Sequence, residues 1–175
     1  AIVHGKLKIG DEIEIRPGYK TEEKNQQVYK PITTKIVSLV TGGTHVEEIF
    51  PGGSMALMTE LDPSIVKSYA LTGNVVGLPG KLPPVLDAFV LETHLLERVV
   101  GSTEELVVDP NKIHEALMLN VTSAATVGIV TELGKNKVKC RLKLPVCCNY
   151  GSRVTISRLI GNRFRLIGYG IILEK

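Results

Sequence analysis

No apolar run in this chain approaches the roughly 18 to 20 residues that cross a bilayer as a helix. Residues 1–15 carry charge throughout, unlike a secretory signal, so neither membrane insertion nor secretion is expected. Cysteine is scarce. Cys140, Cys147 and Cys148 are odd in number and include an adjacent pair, which suits reduced thiols better than a disulfide framework and points to the cytoplasm. The sequon Asn120-Val121-Thr122 carries no meaning in that compartment. Acidic residues nearly vanish towards the end: from Gly134 to Lys175 there is one, Glu174, against ten Lys or Arg, although the net charge of all 175 residues is only +3. Such polarity fits a polyanion, an acidic protein or a plain solvated face. Helical periodicity is missing too, since no window of a dozen residues repeats its apolar positions every 3.6.

What remains is a succession of short strands broken by turn residues, an all-β pattern in which 43% hydrophobic residues suffice for a core in one large domain or two small ones. Strands are expected at 12–16, 32–40, 54–59, 74–78, 85–95, 116–121, 127–133, 138–144, 153–157 and 164–173. Helical turns are expected at 64–69 and 111–115, after Asp62-Pro63 and Asp109-Pro110. Gly134-Lys135-Asn136-Lys137 joins two alternating runs into a hairpin over residues 127–144. In its second strand Val138, Cys140, Leu142 and Leu144 share one face, and Lys137, Lys139, Arg141 and Lys143 make a basic stripe on the other. The stretch GLPGKLPP, residues 77–84, holds enough proline and glycine to act as a linker, so two domains are expected, 1–80 and 81–175. Residues 17–30 read as a loop longer than a tight hairpin needs.

Catalytic constellations are not found. No G-x-x-x-x-G-K-[ST] phosphate loop occurs, and Gly168-Tyr169-Gly170 runs on into Ile171, Ile172 and Leu173 rather than into a dinucleotide fingerprint. His4, His45, His94 and His114 are scattered without partners at ligand spacing, so no metal is assigned. The cysteines read as buried small hydrophobes. Ser64-Ile65-Val66-Lys67 matches S-x-x-K but lacks the companion elements of that chemistry.

HGKLKIGDEIEIRPG, residues 4–18, resembles the second domain of translational GTPases related to elongation factor Tu. PGGSMALMTELDPSIVKS, LTGNVVG, LLERVVG, LMLNVTSAATVGIV, RVTISR and RFRLIGYG narrow the resemblance to the gamma-subunit family of archaeal and eukaryotic translation initiation factor 2. It covers essentially the whole chain. Cys147-Cys148-Asn149-Tyr150 and Tyr169, where the family leads one to expect tryptophan, are departures.

The resemblance implies two consecutive elongation-factor-type β-barrels, the first lacking its N-terminal strand, in a fragment whose GTP- and magnesium-binding domain lay upstream. It implies a non-catalytic piece of a heterotrimeric GTPase that delivers methionyl initiator tRNA to the small ribosomal subunit, with no cofactor of its own. The family's pocket for the terminal adenine and aminoacyl end falls on Ile2, Val37 and Met58, which would either sandwich a base or simply line a barrel core. The 17–30 segment would dock the alpha subunit, with Tyr19, Lys20 and Tyr29 as anchors. The basic stripe would meet an assembly factor on the second barrel or RNA. Two other readings stay open: barrels of another tRNA-carrying GTPase, such as the selenocysteine elongation factor, or an interaction scaffold without a tRNA role. Calorimetric titration of the chain with GTP and magnesium is expected to show no saturable micromolar binding; a saturable isotherm would overturn the non-catalytic reading.

Overall fold

The computed structural model describes residues 1–23, 26–101 and 106–174. Almost all regular structure is strand, and the chain forms two compact units, Ala1–Leu71 with Val75–Leu82, and Thr72–Asn74 with Pro83–Lys175.

Unit 1 contains β1 (Leu7–Lys8), β2 (Glu12–Glu23), β3 (Gln26–Thr41), β4 (Thr44–Val46), β5 (Glu48–Ile49), β6 (Met55–Thr59) and β7 (Val75–Gly77). One sheet runs β4-β3-β2-β7 with β6 also on β3, and β1 pairs with β5 as a separate ladder. Alternation in β2 and β3, its phase reset by the register shift at Val37, turns Ile13, Ile36 and Leu39 inwards, where they meet Leu7 and Ile49. Between Ile15 and Tyr19 the register of β2 shifts, and Gly18 (φ +96°) passes so close to β3 that a Cβ there would lie 1.7 Å from the Lys30 carbonyl oxygen. Only glycine fits that approach.

One sequence expectation changes in this unit. Residues 17–30 are no open loop: β2 and β3 stay paired from Tyr19↔Lys30 to Glu23↔Gln26. Alternating β-compatible residues on both arms were obscured there by charge and by Pro17 and Gly18. The proline- and glycine-rich stretch, in which the chain passes from unit 1 to unit 2 after Leu82, packs back on unit 1. Residues 78–82 turn back through Lys81 N–H to the Leu78 carbonyl (3.0 Å), and Leu82 lies over Gly77, where a Cβ would meet its Cδ2 at 2.7 Å. This return brings the Gly80 amide to the buried Glu14 carboxylate at 2.9 Å, while Arg16 Nε donates to the other oxygen at 2.8 Å. The Arg16 bond, reinforced by the Gly80 amide, holds the Glu14 carboxyl below its ordinary value of 4.5. A short helix, α1 (Pro63–Val66), is capped by Asp62, whose carboxylate accepts the Ser64 amide at 2.7 Å. Lys67 has already left α1 for extended backbone, so Ser64 and Lys67 do not share a helical turn.

Unit 2 is a closed antiparallel barrel of β8 (Val85–Leu95), β9 (Ala116–Val121), β10 (Ala124–Gly134), β11 (Lys137–Cys147), β12 (Arg153–Ile160) and β13 (Arg163–Leu173), ordered β10-β11-β8-β13-β12-β9. The period of two fills its interior with Leu117, Leu119, Val130, Val154, Ile156 and Ile167, among others. Cys140 and Cys148 join this core, and all three cysteines are buried and free. Burial pushes the Cys140 thiol up to about 12 and the Cys148 thiol up to about 11. At Gly168 the backbones of β13 and β8 nearly touch, for a Cβ would stand 2.4 Å from the His94 carbonyl oxygen.

Leu144 is exposed, against the expected inward face. The register of β11 on β8 shifts between Arg141 and Val146, and the irregular stretch is pinned by Thr126, whose hydroxyl donates to the Leu144 carbonyl (2.9 Å) and accepts its amide (3.0 Å). Residues 111–115 form a turn instead of a helix, with His114 at φ +62°. Their organiser is the Arg158 guanidinium on β12. It binds both oxygens of Glu115, the Asp109 carbonyl at 2.9 Å, the Pro110 carbonyl at 3.3 Å and Asn111 Oδ1 at 3.2 Å.

Two outcomes are expected. Thr126→Val leaves two backbone groups of Leu144 without their buried partner, which costs about 1–3 kcal/mol; hydrogen exchange at the β9 and β10 amides measures it, and unchanged protection would show the hydroxyl to be dispensable. For Glu14, the depressed folded value means that its contacts favour folding fully above 4.5 and are lost as pH falls through the lowered one. Protection of the β2 and β3 amides, corrected for intrinsic exchange, should therefore decline further on acidification in the wild type than in Glu14→Gln; parallel declines would remove Glu14 from the acid response.

Candidate functional site

The three apolar positions on unit 1 do not share one environment. Val37 is 42% and Met58 57% exposed, whereas Ile2 is half-buried against the inner cluster of Leu7, Ile13, Ile36, Leu39 and Ile49. Val37 sits in the register shift between Ile36 and Ser38, and Ser38 pairs with Met58, so β3 and β6 bring Val37 and Met58 together on the outer surface. Ser38 Oγ stands 3.3 Å from His45 Nδ1 beside them. A pleat without the shift would have placed Val37 by simple alternation.

Beyond Gly18 the β2–β3 ribbon pairs Tyr19–Glu23 with Gln26–Lys30, and no described ladder joins another strand to these residues. Its alternation separates the expected anchors. Tyr19 and Lys30 lie on one face with Thr21 and Val28; Lys20 and Tyr29 lie on the other. Lys30 binds the Glu23 carboxylate, which raises its ammonium above the ordinary range. Lys24 and Asn25, part of the expected docking segment, lie outside the described residues.

On unit 2, Lys137, Lys139 and Arg141 do form an outward row along β11, while Lys143 falls in the irregular stretch beyond the last regular pair with β8. The row is not uniformly free. The bulge between Val130 and Glu132 brings the Glu132 carboxylate to Lys139 Nζ at 2.6 Å. A shallow recess of about 150 Å³ opens beside it, lined by Val90, Leu133, Gly134, Val138 and the stems of Lys137 and Lys139.

One constellation was missed from sequence. Tyr169 on β13 stacks with His94 on β8, centroids 4.8 Å apart and planes 16° from parallel, and the Arg153 guanidinium on β12 lies 4.5 Å from the Tyr169 centroid. Tyr169 and His94 are register partners, and Arg153, the partner of Ile171, reaches Tyr169 diagonally. Residues 59 and 75 positions apart cannot be aligned before strand order is known. The signal available was aromatic or cationic residues at outward positions of three strands.

Among the described residues no three His, Cys, Asp or Glu side chains could hold a metal, and no helix is long and apolar enough to cross a membrane.

A family model described as "Initiation factor eIF2 gamma, C terminal" matches residues 87–172. Curated relatives extend the likeness over the whole chain. "Translation initiation factor 2 subunit gamma" of Pyrococcus horikoshii is 59% identical over 174 residues, 99% of this chain and 42% of the relative. The proteins of the same name from Pyrococcus furiosus (58% over 174 residues) and Methanocaldococcus jannaschii (51% over 172 residues, 98% of this chain) are each also covered to 42% of their length. The chain thus spans less than half the length of the relatives it matches. With a closed barrel in the region matched by the family model, an all-β remainder and this identity across both units, the chain belongs to the gamma-subunit family of translation initiation factor 2.

Proposed function

We propose that this chain supplies binding and assembly surfaces to a translation initiation factor 2 gamma subunit, the cytoplasmic component that with GTP carries methionyl initiator tRNA to the small ribosomal subunit. The observation that carries the proposal is identity of up to 59% across 99% of the chain to proteins named for that subunit. Nucleotide and magnesium chemistry belong to the part of the factor outside these residues. Here the protein's own side chains bind and position.

The self-paired β2–β3 ribbon supports a docking role for the alpha subunit. A two-stranded arm presents both faces, and an aromatic residue on each, Tyr19 and Tyr29, offers a large apolar contact with a polar tip. The surface pair Val37 and Met58 supports contact with the acceptor end of the tRNA, because two apolar side chains exposed on a sheet can cover the face of a base. The outward row Lys137, Lys139 and Arg141 supports a contact with an assembly partner of negative charge.

The ribbon gives the sharpest test. Replacing residues 19–29 by a short Gly-Ser turn should abolish capture of the alpha subunit while the thermal transition stays within a few degrees of the wild type. Unaltered capture would place the alpha contact elsewhere.

A further inference from the structure

The stacked rung of β8, β13 and β12 is engaged by none of the roles above. Tyr169 stands between two neighbours: His94 on the β8 side, in near-parallel stacking at 4.8 Å, and Arg153 on the β12 side, with its guanidinium 4.5 Å from the ring centre. Each end of this three-member stack is exposed. On the far side of His94 no strand residue is paired with it among the described residues, because β11 begins at Lys137, paired with Glu92, and Thr93 N–H already meets the Asn136 carbonyl of the turn at 2.9 Å. Glu92 Oε1 lies 3.2 Å from His94 Nε2. Lys137 is the register partner of Glu92, on the same face of the sheet as His94, and Lys135 lies exposed in the turn that precedes it.

We infer that this rung is a stacking platform for an unpaired RNA nucleotide, whose base extends the stack beyond His94 and whose phosphate meets Lys135 and Lys137. A flat aromatic face is what a nucleobase matches and a carboxylate side chain does not; cations on the flank supply the phosphate contact. The opposite end is suited to the same chemistry, since a guanidinium plane also stacks on bases. Glu92 is not an isolated charge beside the phosphate, because its carboxylate lies 3.2 Å from His94 Nε2 and its register partner is Lys137. The pairing of β13 with β8 sets Tyr169 directly beside His94, so this aromatic face is built by the barrel itself.

The probe is a fluorescein-labelled oligoadenylate of about twelve nucleotides, with an RNA duplex of equal length as the comparison, titrated with the full chain at two salt concentrations. The wild type should bind the single strand in preference to the duplex. Tyr169→Ala and His94→Ala should each weaken single-strand binding roughly 5- to 150-fold, while Tyr169→Phe retains it; Lys137→Ala should lessen the log–log salt slope by about 0.7. Because Tyr169→Ala removes packing on the barrel, the exposed His94→Ala carries the test if the former fails to fold. No binding by the wild type, equal affinity for single strand and duplex, or an unaltered affinity in His94→Ala would each overturn the inference. Displacement of the RNA by a polyglutamate peptide at equal charge concentration would also overturn it, assigning the surface to acidic protein.

Discussion

Every strand must find hydrogen-bond partners for both of its edges, and most of this structure follows from how that requirement is met. In unit 2 it is met by closure. Six antiparallel strands return on themselves, no edge is left, and the interior is filled by every second residue. Once the ring is closed, the outward residues have no freedom of neighbour: the register that seats Leu91 and Ile172 inside also lines up Thr155, Tyr169 and His94 outside. The surface constellations are by-products of core packing, held with the rigidity of the core. Unit 1 meets the requirement differently. Its described strands do not close; a returning segment lays Leu82 over Gly77 in β7 and offers the Gly80 amide to Glu14.

Three buried or half-buried polar side chains take over backbone groups that fall outside the regular ladders. Glu14, Thr126 and Arg158 each take over hydrogen bonds that strand or helix geometry leaves unmade. Thr126 satisfies both backbone groups of Leu144 where β11 slips against β8. Arg158 satisfies carbonyls of a segment that could otherwise have closed a helical turn, and its planar fork spans a carboxylate and two carbonyls together, a task a lysine's point charge does not perform.

Fold class was legible because alternation is a local signal: Val138, Cys140 and Leu142 fall inside as their period requires. It failed where a non-local bond replaced the local rule. Leu144 turns outward because a threonine eighteen residues away holds it, and residues 111–115 avoid a helix because an arginine more than forty residues away holds them. The candidate sites were legible to the same extent. The basic row was visible as sequence spacing, yet its pairing with Glu132 depends on a bulge, and Val37 and Met58 meet through another. His94, Tyr169 and Arg153 could not be grouped without the strand order.

The buried thiols have a practical corollary. Cys140 and Cys148 are held almost wholly protonated near neutrality, and Cys147, as deeply buried, has its sulfur against the Pro83 carbonyl at 3.4 Å. Alkylating reagents attack the thiolate and need access to it. A single cysteine introduced at an exposed position of the barrel would therefore be the one reactive handle on a folded chain that keeps its native cysteines. Fluorophores and crosslinkers can be sited one rung at a time, turning the outer surface into an addressable grid.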